Sequence, residues 1–301
     1  MDLKYSKSTD SQHKIKLESS LVYAAWRTGI APLGQSAPLE VFTSFVGDGA
    51  KIKIKGKSQK GKSLGKIDAV IKNNKFVGML DIPDNLEIGE AVQFEVDLPQ
   101  NGLSGKSNFI PVGPPIEATD LKWSATEARR GDILTMSAKV KGVPEGAEAK
   151  VVIYEYDADN VHDRITALPV IIQKNKIELL WEYEYHEDTD EVPTDEELKK
   201  YGKSYNPPEY FFVIEISGQK FGKKQESGLL IFKDWIEIIL EDEEGKRVPN
   251  EQYVLHLPDG QQRQGALNGN GYAREEKIPP GGVTIEFPNV EEEIDFLPDE
   301  G

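Results

Sequence analysis

Short runs of β-branched and aromatic residues, each ended by turn residues, constrain the fold of this chain more than any other feature of its sequence. They are clearest between Ile236 and Val290, where Gly, Pro, Asn or Asp interrupts such runs about every 8 to 12 residues. The turns read Asp242-Glu-Glu-Gly245, Pro258-Asp-Gly260, Asn268-Gly-Asn-Gly271 and Ile278-Pro-Pro-Gly281. This spacing predicts an antiparallel β-sandwich.

Strand patterns of the same kind fill the region from Leu21 to Pro115. Within it, Ala50-Lys-Ile-Lys-Ile-Lys55 alternates strictly, which predicts isoleucines that face a core and lysines that face solvent. Further strand candidates are Pro38–Val46, Lys66–Ile71, Phe76–Leu80, Ala91–Val96 and Asn108–Val112. Together they predict one complete sandwich.

The chain then repeats itself. Trp26, Gly34, Val46, Gly49 and Ala50 recur 97 positions later as Trp123, Gly131, Val143, Gly146 and Ala147. We match Lys51–Ile54 to Lys150–Ile153, and Val92–Val96 to Phe212–Ile216 at an offset of 120. A displacement shared by Trp and Gly predicts a tandem duplication, and the growing offset predicts an insertion in the second copy.

These patterns predict a chain of sandwich modules in series. The segments are a mobile lead (1–20), module 1 (21–115), module 2 (116–233), module 3 (234–290) and an acidic tail (291–301). The insertion in module 2 is placed at 186–209, where Thr194-Asp-Glu-Glu197 has the spacing of a capping box. We therefore expect one short helical insertion, continuing through Leu198 to Tyr201, in an otherwise all-β protein.

Charge separates the front of the chain from its rear. The 301 residues carry a formal net charge of −16. Residues 1–114 hold 15 Lys/Arg against 12 Asp/Glu, a net of +3, so the remainder holds 21 against 40, a net of −19. An acidic chain is repelled by a phosphate backbone, so we expect no nucleic-acid partner.

Cysteine is absent, which excludes disulfides and thiolate chemistry. The first ten residues have no apolar stretch of a secretory signal, and no run reaches the ~18 apolar residues that span a bilayer. We therefore expect a cytoplasmic protein that does not insert into membranes, or one that another machine exports.

Candidate chemistry is sparse. The acidic run His186-Glu-Asp-Thr-Asp-Glu191 lacks the glycine and ligand spacing of a calcium loop and has no second histidine at zinc-ligand spacing. The histidines His13, His162, His186 and His256 are scattered, and no G-x-S-x-G motif accompanies them. We expect no catalytic residue, no metal site and no cofactor, although paired carboxylates of a hydrolase remain an alternative that geometry must decide.

A lysine stripe stands out in so acidic a chain. It comprises Lys51, Lys53, Lys55, Lys57, Lys60, Lys62 and Lys66. One interpretation is a docking face for an acidic partner or a surface polysaccharide. The interpretation favoured by the sequence is that the lysines guard an exposed strand edge against aggregation. Trp26, Trp123 and Trp181 are expected to pack in cores.

The final module resembles a known family. Ile236–Pro249, Tyr253-Val-Leu-His-Leu-Pro-Asp-Gly260 and Gly265–Arg274 running into Ile278-Pro-Pro-Gly281 are similar to transthyretin-like modules, also called carboxypeptidase-regulatory-like, of contractile injection machines. Such modules occur on the spike tip of type VI secretion systems and on associated spike and cargo proteins. Modules 1 and 2 are immunoglobulin-like in strand count, without the Cys…Trp…Cys signature.

The resemblance implies a non-enzymatic structural or adaptor component of such an apparatus, which binds spike-tip or effector proteins through its sandwich surfaces. The residues we assign to protein binding are Lys51, Lys53, Lys55, Lys57, Asp259, Gly260, Asn270 and Tyr272. Two alternatives are a surface adhesin or glycan-binding protein, and a hydrolase acting on the cell wall. The oligomeric state and the identity of the partner do not follow from the sequence.

Overall fold

A computed structural model describes residues 15–156, 161–183, 208–258, 260–279, 282–289 and the backbone of 294–296. These residues form strands, turns and loops without any helix, which confirms the predicted all-β class. The predicted helical turn at Thr194–Tyr201 lies outside the described residues, so the described part of the chain contains no counterpart of the helical insertion.

Two compact units make up the chain. Unit 1 extends to Ile116 and includes the short segment Ser217–Gln219, while unit 2 contains Glu117–Ile216 and the residues from Lys220 onward. The predicted modules 2 and 3 both fall in unit 2, so the division between them stays a prediction.

Module 1 contains nine strands. They are β1 (Ser20–Trp26), β2 (Ala31–Pro32), β3 (Ser36–Ser44), β4 (Lys51–Ser58), β5 (Ser63–Val70), β6 (Lys75–Asp81), β7 (Ala91–Leu98), β8 (Leu103–Lys106) and β9 (Ile110–Gly113). One sheet has the order β1-β3-β6 and the other β2-β9-β7-β4-β5, with β8 added beside β7. Every pairing is antiparallel except that of β2 with β9. Two antiparallel sheets in this order form an immunoglobulin-like sandwich.

The core of module 1 lies between these sheets. Alternation supplies it, because inward positions of β4 and β7 such as Ile52, Ile54 and Phe94 are fully buried. Trp26, at the end of β1, packs edge-on against Phe94 with ring centroids 4.8 Å apart. The expected core position of Trp26 is therefore confirmed.

The described residues of module 2 also form nine strands. They are β10 (Glu117–Trp123), β11 (Glu127–Ala128), β12 (Ile133–Lys141), β13 (Glu148–Glu155), β14 (Arg164–Ile171), β15 (Lys176–Glu182), β16 (Glu209–Ile216), β17 (Gln219–Phe221) and β18 (Leu230–Phe232). Their sheets run β10-β12-β15 and β11-β18-β16-β13-β14, with β17 beside β16. This repeats the order of module 1 strand for strand, including the parallel pairing of the second strand with the last. The predicted tandem repeat is confirmed.

The repeat extends to side chains. Trp123 packs edge-on against Phe212 at 5.1 Å, as Trp26 packs against Phe94. The backbone amide of Phe94 donates to Ser107 Oγ at 3.0 Å, and that of Phe212 donates to Ser227 Oγ at 3.2 Å. Phe94 is therefore the counterpart of Phe212, at an offset of 118 rather than the predicted 120.

A second match also needs correction. The amides of Gly49 and Gly146 donate to the carbonyls of Ile71 and Ile172. One residue before these acceptors, Val70 pairs with Lys51 and Ile171 pairs with Glu148, so the offset of 97 continues into β4 and β13. Lys51 therefore corresponds to Glu148, and Lys53 to Lys150. The predicted match of Lys51–Ile54 to Lys150–Ile153 is wrong by two residues because both strands carry the same alternation, which a slip of two preserves.

The described residues from 234 onward form six strands. They are β19 (Asp234–Ile239), β20 (Gln252–His256), β21 (Gln262–Ala266), β22 (Tyr272–Ile278), β23 (Val283–Glu286) and β24 (Ile294–Phe296). β19 pairs with β22, and the other four form a sheet in the order β21-β20-β23-β24. Ile238, Tyr253, Leu255 and Ile285 belong to a small core of their own. All pairings here are antiparallel, as the turn pattern predicts.

Candidate functional site

β4 displays four of the predicted binding residues on one side of a sheet. Lys51, Lys53, Lys55 and Lys57 are exposed, while the residues between them are buried. β4 lies between β5 and β7, which pair with it on either side. The edge-guard interpretation of these lysines is therefore wrong: β4 is an interior strand whose backbone is already paired.

Neighbouring strands add their own charges to this surface. The register places the solvent-facing side chains of β5, β7 and β8 beside the four lysines. We call this surface the lysine face; its charged members are Lys51, Lys53, Lys55, Lys57, Lys66, Lys106, Asp68, Glu95 and Asp97. Six lysines against three carboxylates give it a net charge of +3.

Glu95 neutralises one end of the lysine face. Its carboxylate lies 3.2 Å from Lys106 Nζ and 3.3 Å from Lys57 Nζ. Hydrogen bonds from these two lysines, that of Lys106 first, hold the pKa of Glu95 below its usual value. Among the described residues, Lys51, Lys53 and Lys55 have no ion pair, so the middle of the row keeps its charge available.

The remaining predicted stripe lysines have other roles. Lys60 forms an ion pair with Glu87, and Lys62 Nζ donates to the Asn85 carbonyl oxygen at 2.8 Å. Both contacts tie the tip of the β4–β5 hairpin to the loop that follows β6. Lys60 and Lys62 therefore stabilise a turn and do not extend the lysine face.

A shallow depression of about 400 Å³ runs beside the row of lysines. Lys53, Lys55, Asp97, Ser104 and Lys106 are among the residues that line it. Its rim is charged on both sides, and it opens to solvent. Such a surface suits contact with a polar chain segment better than capture of an apolar small molecule, for which enclosed apolar pockets are typical.

The matching face of module 2 differs in chemistry. Lys55 and Glu95 correspond to Val152 and Val213, which are each only 3% exposed. Lys57 corresponds to Tyr154, whose ring stacks on Phe211 at 5.6 Å. The fold thus accepts other side chains at these positions, so Lys55 and Lys57 are not required by the sandwich, whereas Lys53 has a lysine counterpart in Lys150.

The predicted binding residues of module 3 fall into two groups. Gly260 lies in the β20–β21 turn, where its φ is +77° and its amide donates to the Leu257 carbonyl. Asn270 lies in the loop after β21, in which Asn268 Oδ1 accepts from the amides of Asn270 and Tyr272. These loops are at opposite ends of β21, so they do not form one site. Asp259 lies outside the described residues.

Tyr272 belongs to a charged cluster on the β19–β22 sheet. Its hydroxyl donates to Glu237 at 2.9 Å, and this bond holds the pKa of Tyr272 above its usual value. Arg274 donates to Glu276 at 2.8 Å and lies 4.0 Å from the centre of the Trp235 ring. These groups satisfy one another, which favours a structural role for Tyr272 over partner binding.

Sequence reasoning missed Glu95, Asp97 and Lys106 as members of the lysine face. The alternation of β7 does predict that Glu95 and Asp97 face solvent. What the sequence lacks is any signal that β7 pairs with β4, because the two strands are separated by about 40 positions. Only the pairing brings their side chains to one surface.

Metal and histidine chemistry gains no support from the described residues. No group of three potential metal ligands occurs among them, and the acidic run 186–191 lies outside them. His256 is held between Glu286 at 3.1 Å and Gln262 at 3.2 Å on the open side of its sheet. Nor does the described chain contain any helix with the length and hydropathy of a membrane span.

Comparison with known proteins returns the general architecture and little else. No family model and no curated protein matches this chain. Among solved structures, trypsin-activated alpha-2-macroglobulin of Escherichia coli matches at 10% identity and a TM-score of 0.27, over 90% of this chain and 23% of that one. A three-immunoglobulin-domain fragment of titin matches at 11% identity and a TM-score of 0.27, over 90% of this chain and 94% of that one. A tetra-tandem repeat of a large adhesion protein matches at 11% identity and a TM-score of 0.26, over 89% of this chain and 69% of that one.

This chain thus spans about a quarter of the macroglobulin it matches. With TM-scores well below 0.5, these likenesses carry no argument about function. The immunoglobulin-like character of modules 1 and 2 is grounded in their own sheet order. The transthyretin-like identity of module 3 stays a prediction.

Proposed function

We propose that this chain is a non-enzymatic adaptor that binds protein partners through its sandwich surfaces, with the lysine face as the principal contact. The observation that carries the proposal is an open sheet face of net charge +3 in a chain of net charge −16. An acidic partner is attracted to this face, whereas the acidic remainder of the chain repels it.

The partners proposed are the spike-tip or effector proteins of a contractile injection apparatus. This part of the proposal is supported by the resemblance of module 3, whose turns Leu257–Gln261 and Asn268–Tyr272 are built by hydrogen bonds at the two ends of β21.

Affinity purification from a bacterium that carries both this gene and such an apparatus tests the proposal. Bait chains should recover spike-tip or effector proteins, and the purified components should form the same complex in solution. Reversing Lys53 and Lys55 to Glu should weaken that complex about tenfold, because two attractive pairs become repulsive.

A matched control is offered by Lys72 and Lys141, which are exposed, off the lysine face and free of ion pairs within the described residues. K72E/K141E changes net charge by the same amount and should leave the complex intact. If both double variants weaken the complex equally, the effect depends on net charge and not on the lysine face. If the unaltered chain recovers no protein of the apparatus, the proposal is wrong.

A further inference from the structure

The lysines of β4 can contact a partner only through their side chains. Both backbone edges of β4 are occupied, since Lys53 pairs with Asp68 on β5 and with Asp97 on β7. A partner therefore cannot add a strand to β4 through main-chain hydrogen bonds, which is the usual way for a sheet to bind an extended peptide. Whatever docks here must meet the lysine ammonium groups directly.

The spacing of these groups favours an extended partner. Alternate residues of a strand are about 6.6–6.8 Å apart, and Lys51, Lys53, Lys55 and Lys57 are alternate residues on one side of β4, with a register shift against β5 between Lys55 and Lys57. An extended segment with acidic residues at alternate positions has the same repeat. A helix with an acid at every fourth residue advances about 6 Å per repeat and turns its charge away by about 40° each time.

Carboxylates on the face sharpen this choice. Asp68 and Asp97 flank Lys53 on the neighbouring strands, and Glu95 lies across from Lys55. A polymer with negative charge at every position would meet these acids as well as the lysines. A segment with spaced carboxylates can pair with the lysines and avoid the three carboxylates of the face. Those carboxylates then repel partners whose negative charge is continuous.

The depression beside the row of lysines leaves room for such a segment. The depression of about 400 Å³ lies along Lys53 and Lys55, the two lysines at the centre of the row that have no ion pair among the described residues. In module 2 the counterpart of Lys55 is the covered Val152 and that of Lys51 is Glu148, so an unbroken row of lysines is a feature of module 1 alone among the two repeats.

From these observations we infer that the lysine face binds an extended acidic segment of a different protein, with carboxylates at alternate residues aligned along β4. The inference rests on the proposed function, because it names the chemistry of the partner at the same face. It goes further in fixing the partner's conformation and charge spacing.

Two labelled peptides of about ten residues and identical composition test it. In one, Glu and Ser alternate; in the other, the same glutamates are contiguous. Fluorescence anisotropy with the full chain at low salt should show the alternating peptide binding about fivefold more tightly. K53Q/K55Q should lower its affinity about fivefold, K72Q/K141Q should not, and raising the salt to about 0.5 M should abolish binding. Unchanged melting temperatures of both variants would show that folding is intact.

Three results would overturn the inference. The first is equal affinity for both peptides, or indifference to K53Q/K55Q. The second is that dextran sulfate binds through Lys53 and Lys55 while neither peptide binds, since the face would then recognise the charge density of a polyanion. The third is salt-sensitive self-association in sedimentation that K53Q/K55Q removes, since the occupant would then be a second copy. If the peptides fail while K53E/K55E still releases an apparatus protein, only the inference is lost and the proposed function stands.

Discussion

Tyr253 joins the core of module 3 to a surface carboxylate. Its ring is 3% exposed, and its hydroxyl donates to Glu275 at 2.7 Å. Burial first, and then the bond to Glu275, raise the pKa of Tyr253 far above its usual value. Because the neutral phenol is the favoured form in the fold, its contribution to stability is complete below about pH 10 and is lost as the pH rises above it.

Replacing Tyr253 by Phe should reveal this dependence. At pH 8 the variant should be less stable by about 1 kcal/mol, the worth of a typical hydrogen bond. Above pH 10 the unaltered chain should lose about 1.4 kcal/mol per pH unit relative to the variant, so their order should reverse near pH 11. Denaturant unfolding of module 3 between pH 8 and 11 measures this, and parallel curves for the two proteins would contradict it.

The absence of a side chain at Gly265 leaves room for the ring of Tyr253. The two residues face each other across β20 and β21, and a methyl group on Gly265 would lie 2.3 Å from the ring. Gly265→Ala should therefore destabilise module 3 by about 1–3 kcal/mol, as overpacking does. Gly269→Ala is the control, because no atom lies within 4 Å of its added methyl group. Equal unfolding midpoints for the two variants would show that the ring moves aside freely.

At the scale of an element, one hairpin turn occurs twice with different residues. Asn73 and Asn74 have φ of +50° and +59°, and Lys174 and Asn175 repeat these angles at +51° and +59°. The amides of Asn73 and Lys174 donate to the carboxylates of Asp48 and Glu145 respectively, so both turns are held by the same kind of amide-to-carboxylate bond. Only the side chain at the first position differs between them.

Exchanging that side chain isolates its conformational preference. Asn tolerates positive φ better than Lys, so Lys174→Asn should stabilise module 2 by about 0.5 kcal/mol and Asn73→Lys should destabilise module 1 by a similar amount. Chemical unfolding of the two variants gives both values. Two changes of the same sign would mean that contacts outside the turn decide its stability.

The elements also show what the sequence could and could not supply. Alternation correctly oriented the lysines of β4, since a strand has only two faces. It failed to place β4 in the interior of its sheet, because the pairing with β7 is non-local. It also failed in β16, where Phe211 and Val213 are buried along with Phe212 and Ile214, so no alternation remains to fix the register against module 1.

At the scale of the whole molecule, charge is arranged by position as well as by amount. The net of +3 over residues 1–114 is the same as the net of the lysine face within them. The rest of the chain carries −19, which repels acidic surfaces. The contrast favours the approach of an acidic partner to the lysine face, which the net charge of the whole chain does not reveal.

Module 1 should fold without the rest of the chain. Its core residues, from Trp26 to Val112, form one cluster, which contains only residues of module 1 and fills the space between its two sheets. About 100 residues around one core suffice for an independent domain. A fragment of residues 1–116 should therefore unfold in one cooperative step, with a free energy of about 5–10 kcal/mol. Ile54→Ala, at a fully buried site, should cost about 2–5 kcal/mol in the fragment and the same in the full chain. A fragment without a cooperative transition, or a cost that differs between the two contexts, would mean that stability of this core depends on residues beyond 116.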